Sequence, residues 1–156
     1  QLRDMHGRPD LRLMDVYETD LSASPSARLA NVSAPGIAGG GANVLTVGFV
    51  VSGTVGETLL IRAVGPTLAN FNVPGVLADP QLVVLDVNGS IVGSNDDWTG
   101  SGLIAATTAS SAFALPAGSK DAAVLVTLGP GVYTAQVRSA DSSTGIALLE
   151  VYEVAQ

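Results

Sequence analysis

Hydrophobic positions in this chain come in short bursts, each soon cut off by glycine, proline, asparagine or aspartate. Residues 11–19 alternate apolar and polar with branched and aromatic side chains, the pattern of a β-strand. Residues 27–33 carry Leu29 and Val32 and stop at Ala34-Pro35-Gly36. Gly39-Gly40-Gly41 reads as a turn; no helix or Lys-Ser/Thr follows it, as a phosphate loop would require. Residues 43–53 and 57–64 are the most strand-like stretches, and the short Thr54-Val55-Gly56 between them predicts a hairpin. Both are apolar at nearly every position, so both faces of both strands are expected to be covered.

Residues 65–75 form a long connection, held to the core by Leu68 and Phe71. Residues 82–87 and 90–94 flank Asn88-Gly89, the pair favoured by type I′ hairpin turns. Residues 121–128, 132–139 and 146–154 complete the strands, with Gly129-Pro130-Gly131 turning the chain between the first two. Residues 101–112, rich in alanine, serine and threonine, suit a helical turn or loop as well as a strand. Eight to ten short strands punctuated in this way predict an all-β, antiparallel, jelly-roll-like β-sandwich with little helix, rather than alternating βαβ units.

One strand is written twice. Aligned on the tyrosines, Leu13-Met14-Asp15-Val16-Tyr17-Glu18 matches Leu148-Leu149-Glu150-Val151-Tyr152-Glu153 in kind or identity. The N-terminal copy is followed by Asp20-Leu21-Ser22-Ala23-Ser24-Pro25-Ser26, a small-residue linker with Ser22, Ser24, Pro25 and Ser26 as a hinge. The division read from this is a leader and donor-type strand over 1–20, a linker over 21–26 and a sandwich over 27–156. Residues 11–19 either pair within their own subunit or add to the sheet of a neighbour, with Leu11, Leu13, Met14, Val16 and Tyr17 as anchors. Burying those five side chains contributes at most about 7–15 kcal/mol. Ordering nine residues costs about 1–2 kcal/mol each, so addition requires an edge that is already formed.

Composition narrows the functions. The chain of 156 residues is 47% apolar and 13% charged, with 18 glycines, which suits a folded β domain. A net charge of −7 disfavours nucleic acid and anionic membranes as partners. The absence of cysteine excludes disulfides and thiol chemistry. No unbroken apolar stretch is long enough for a membrane-spanning helix. A start at Gln1 reads as a processed mature chain or an excised fragment.

Candidate chemistry is sparse. Asp86 with Asn95, Asp96 and Asp97 offers hard oxygen ligands suited to Ca²⁺, although the same side chains serve equally to cap turns. Trp98, the single tryptophan, suits either a sugar platform or a core anchor. Arg62 interrupts an apolar strand and is expected to be buried against a carboxylate such as Asp79 or Asp121. The single histidine, His6, stands in the leader, so neither a Ser-His-Asp set nor a histidine zinc site can be assembled. No catalytic residues are assigned.

The wording of several segments resembles a known module. Ser26-Ala27-Arg28-Leu29-Ala30-Asn31-Val32-Ser33, Leu60-Ile61-Arg62-Ala63-Val64-Gly65-Pro66-Thr67-Leu68, Ser94-Asn95-Asp96-Asp97-Trp98 and Gly131-Val132-Tyr133-Thr134-Ala135 are similar to a tandem β-sandwich repeat of large exported proteins of Verrucomicrobia-like bacteria. Residues 79–156 also resemble, more weakly, the bacterial pre-peptidase C-terminal domain. These resemblances imply a non-catalytic, extracellular or cell-surface role. The expectation is therefore a structural subunit, not an enzyme, whose partner is itself: it assembles head to tail into a filament by N-terminal strand addition. The alternative is a monomeric surface module that recognises glycan or Ca²⁺ through residues 95–98, with no other cofactor.

Overall fold

The computed structural model describes residues 31–154. They form eight strands: β1 (Asn31–Gly39), β2 (Leu45–Val51), β3 (Glu57–Val64), β4 (Pro80–Asp86), β5 (Ile91–Asn95), β6 (Ala122–Leu128), β7 (Gly131–Ser139) and β8 (Thr144–Glu153). A 3-10 helix spans Pro66–Phe71, and one α-helix, α1, spans Ser101–Ala109. The strands make two antiparallel sheets, ordered β1-β8-β3-β6 and β2-β7-β4-β5. Every consecutive pair except β4–β5 crosses from one sheet to the other, which is the winding of a jelly roll.

That winding corrects the hairpin expected at residues 54–56. β2 pairs with β7, whereas β3 pairs with β6 and β8. Gly53, at φ +95°, belongs to a turn that carries the chain across the sandwich instead of back along one sheet. Residues 129–131 likewise turn the chain between sheets. The predicted β4–β5 hairpin is present with a different turn. Gly89 alone of the pair has positive φ, at +78°, and Gly89 N–H donates to Asp86 O at 3.0 Å. The Asp86 carboxylate accepts from Asn88 N and Ser90 N, both at 2.8 Å, and this favours a three-residue loop ending in a left-handed glycine.

β3 alternates between two cores. Leu59, Ile61 and Ala63 face the other sheet, meeting Leu82 and Val84 of β4 and Ala135 and Val137 of β7. Leu60 and Val64 face outward but are buried all the same. The 3-10 helix, α1 and the segment around Trp98, Phe113 and Leu115 lie over that outer face and form two further apolar clusters. β3 is therefore covered on both faces, as its sequence suggested. β2 is not: Thr46, Gly48 and Val50 are exposed, because nothing in the described residues overlies its sheet. Of the two anchors expected in residues 65–75, Leu68 is buried, while Phe71 stands 56% exposed at the rim, edge-on to Phe113.

β1 does not stop at Ala34-Pro35-Gly36, where the sequence suggested an end: it runs on to Gly39 through Pro35, which pairs opposite Leu148. An edge strand tolerates this because proline lacks an N–H only on the side that needs no partner. β8 is central, held by β1 along one side and by β3 along the other. Where β3 ends, residues 75–77 take over beside β8: Ile146 N donates to Gly75 O and Leu77 N to Ile146 O, each at 2.8 Å. Gly145 permits that approach, since a Cβ there would stand 2.5 Å from Leu77 N.

Candidate functional site

The largest buried charge cluster among the described residues grows from β3–β8 pairing. Arg62 and Glu150 are direct register partners on the outer face of the first sheet. Their burial beneath Phe113 and α1 leaves Arg62 at 0% and Glu150 at 3% exposure. Arg62 Nε donates to Glu150 Oε2 at 2.9 Å and Nη2 to the same oxygen at 2.5 Å. Nη1 donates to Phe113 O at 2.6 Å. The guanidinium also lies 4.4 Å from the Phe113 ring centroid and 5.5 Å from that of Tyr152. Tyr152 Oη donates to Glu150 Oε1 at 2.7 Å. The expectation of a buried, paired Arg62 is met, but its partner is Glu150 and not Asp79 or Asp121.

Burial first, and the hydrogen bond to Glu150 second, push the Tyr152 phenol up to about 12. The neutral phenol is thus favoured by folding. That stability is present below pH 10, the ordinary value, and is lost as pH rises through about 12. In an alkaline titration followed by phenolate absorbance, one of the three tyrosines should ionise late, near pH 12. Glu150→Gln should move that late step downward; a step that does not move would show that the hydrogen bond to Glu150 is not a cause.

Asp79 and Asp121 have other partners. Asp79 is bound by Lys120 Nζ at the surface. Asp121 is fully buried and accepts Gly65 N at 2.8 Å, Thr67 N at 3.3 Å, Ser119 Oγ at 2.6 Å and the Thr67 hydroxyl. It anchors the start of the 3-10 helix, whose own N-cap residue is a glycine with no side chain to give.

The residues suggested for Ca²⁺ or glycan are spread out. Asp86 caps its own turn at one end of β5. Asn95 is at the other end, with Oδ1 accepting Ala123 N at 2.9 Å and Nδ2 donating to Asp97 O at 3.1 Å. Five residues of strand place roughly 13–16 Å between those ends. Asn95 and Asp96 border an open hollow of about 470 Å³ with Gln81, Val83, Ile91 and Ser94. Trp98 is turned away from solvent, 8% exposed, among Val64, Leu68, Leu115 and Ala123. Its Nε1 donates to Ser119 Oγ at 3.0 Å and Pro116 O at 3.2 Å, leaving a sugar little ring to stack on. Among the described residues, no three of His, Cys, Asp and Glu gather as a metal site, and no helix is long and apolar enough to cross a membrane.

The proposed polymerisation strand (Leu11, Leu13, Met14, Val16, Tyr17) and hinge (Ser22, Ser24, Pro25, Ser26) lie outside the described residues. What the fold adds is the setting of their C-terminal twin. On β8, Leu149 and Val151 pack in the core between the sheets, while Glu150 and Tyr152 hold Arg62 on the outer face. The N-terminal copy keeps each of these types, as Met14, Val16, Asp15 and Tyr17. The identity of Arg62's partner was the signal missed: the carboxylate-Val-Tyr triplet, written twice, is the set that an outward-facing arginine on β3 needs.

No family model matches the chain, and no curated protein does. Among solved structures, it is similar to the pre-peptidase C-terminal domain of a collagenase from Bacillus anthracis. The identity is 14% and the TM-score 0.50, over 78% of this chain and 89% of that one. That likeness is one of fold: the chain is built as a two-sheet antiparallel β-sandwich.

Proposed function

We propose that this chain is a non-catalytic, extracellular structural module that joins copies of itself, the strand of residues 11–19 of one copy adding to a sheet of the next. The observation that carries this reading is the repetition of β8 upstream of the sandwich, down to the residue types that surround Arg62. With β8 already in place in the sandwich, the second copy of its sequence is a surplus segment of strongly apolar character. A strand of that kind left unpaired invites aggregation, so a partner edge is expected. Because the strand leaves one copy and enters another, the contact is heterologous and propagates into a head-to-tail filament. The polar clusters support a structural role in another way: Arg62 and Asp121 bond to the protein's own backbone and side chains, leaving little for a substrate.

The test is deletion of residues 1–20. Sedimentation and negative-stain microscopy should find filaments of the full chain and single subunits of the deleted one. Filaments that survive the deletion would refute the reading.

A further inference from the structure

Among the described residues the sandwich has four edge strands, β1 and β6 on one sheet and β2 and β5 on the other. They differ in how open they are. β5 and β6 are tied together across the flank: Asn95 Oδ1 accepts Ala123 N at 2.9 Å, and Trp98 N donates to Asp121 O at 2.9 Å. β5 is also the shortest strand, and its register slips between Val84 and Leu85. β1 carries Pro35, which has no N–H to give an added strand, and its last residue is engaged through Gly39 N to Asn43 O at 2.7 Å. Among the described residues, β2 has none of these guards. It is seven residues long, LTVGFVV, without proline, charge or bulge.

β2 is also incompletely covered on both faces. Leu45, Val47 and Phe49 pack against the main core but remain partly exposed along the flank. On the other face, Val50 is 68% and its cross-strand partner Val132 53% exposed. An added strand would extend both rows. Residues 11–19 carry Met14 and Val16 on one face and Leu11, Leu13 and Tyr17 on the other, so each row of β2 would meet apolar side chains.

The β8 position cannot be the acceptor in a folded copy. Each copy holds one such slot and two segments of that sequence type, so exchanging them leaves one segment over. The N-terminal strand is also the worse fit, because alignment puts Arg12 at Ala147, which is 0% exposed in the core, and Asp10 at Gly145, where a Cβ meets backbone. Residues 1–30 join the described chain at Asn31, on the β1 edge, which lies on the same flank as β2.

Resting on the proposed self-assembly, we infer that the free edge of β2 is the acceptor and that its occupant is the strand of residues 11–19 from a second copy. The test uses full-length chains. Thr46→Lys with Val50→Lys places two charges on exposed positions of β2; Leu13→Asp with Val16→Asp spoils the donor strand. Each double variant alone should sediment as a monomer with the melting temperature of the chain lacking residues 1–20, since the filament's own value includes the binding of the added strand. Mixed, they should form a one-to-one dimer, since each supplies the element the other lacks. Filaments of the β2 variant, with the donor variant monomeric, would overturn the acceptor while leaving the strand reading intact. Filaments of the donor variant, or a monomeric unaltered chain, would overturn both. Two monomeric variants that fail to pair when mixed would also overturn the acceptor.

Discussion

Glu150→Ala is expected to destabilise the sandwich by about 3–5 kcal/mol, because it strands a fully buried guanidinium with only Phe113 O and two ring faces for company. Arg62→Met should cost a similar amount, since it leaves the carboxylate of Glu150 at 3% exposure with hydroxyl donors alone. The pair is expected to be strongly non-additive. Arg62→Met with Glu150→Leu replaces two charges by apolar volume, and should recover most of the loss, because the desolvation of both ions is removed together with their attraction. Urea unfolding followed by Trp98 fluorescence measures all three variants. Single losses under about 1 kcal/mol, or a double variant as unstable as the sum, would contradict a closed ion pair.

The same pair shows what the sequence could and could not disclose. That Arg62 is buried was legible, because it stands within Leu60-Ile61-Arg62-Ala63-Val64. Which acid meets it was not, since Glu150 is 88 residues away and becomes a neighbour only through the pairing of β3 with β8. Strand existence is local, and β2 to β8 were legible from alternation and turn residues, whereas β1 continues through the stop expected at Ala34-Pro35-Gly36. Sheet membership is not local. The turn at 54–56 has a hairpin's length, yet the two strands it joins lie in different sheets. One local cue did separate them: β3 is apolar on both faces, while β2 has Thr46 and Gly48 on its bare face.

The candidate site was legible as a repetition but not as geometry. The copied strand is visible in the letters. That its twin is a central strand with neighbours on both sides, and that β2 is the least guarded edge among the described residues, are consequences of the jelly-roll winding. Trp98 and the acids around it illustrate the converse. Their composition suits a ligand site, but the fold uses Asp86 for a turn, Asn95 to tie two edges and Trp98 to fill the outer cluster.

Asp121→Ala should produce a loss comparable to that of Glu150→Ala, by a different route. The carboxylate has no ion-pair partner among the four donors that reach it; it satisfies two backbone N–H groups, at Gly65 and Thr67, and two hydroxyls, at 0% exposure. Alanine leaves both N–H groups without a partner and out of reach of water, at about 1–3 kcal/mol each, for an expected total of about 3–5 kcal/mol. Asp121→Asn should cost less, about 1–3 kcal/mol, because one oxygen can still face the two N–H groups. Its amide would then confront the hydroxyls of Thr67 and Ser119, and Ser119 already accepts from Trp98 Nε1 at 3.0 Å. The strain should therefore appear in Trp98 as a shifted emission maximum before global unfolding begins. Lys120→Ala is the control, since its bond to Asp79 is at the surface and should matter little. Equal losses for Asp121→Ala and Lys120→Ala would mean that the buried aspartate does not organise the 3-10 helix.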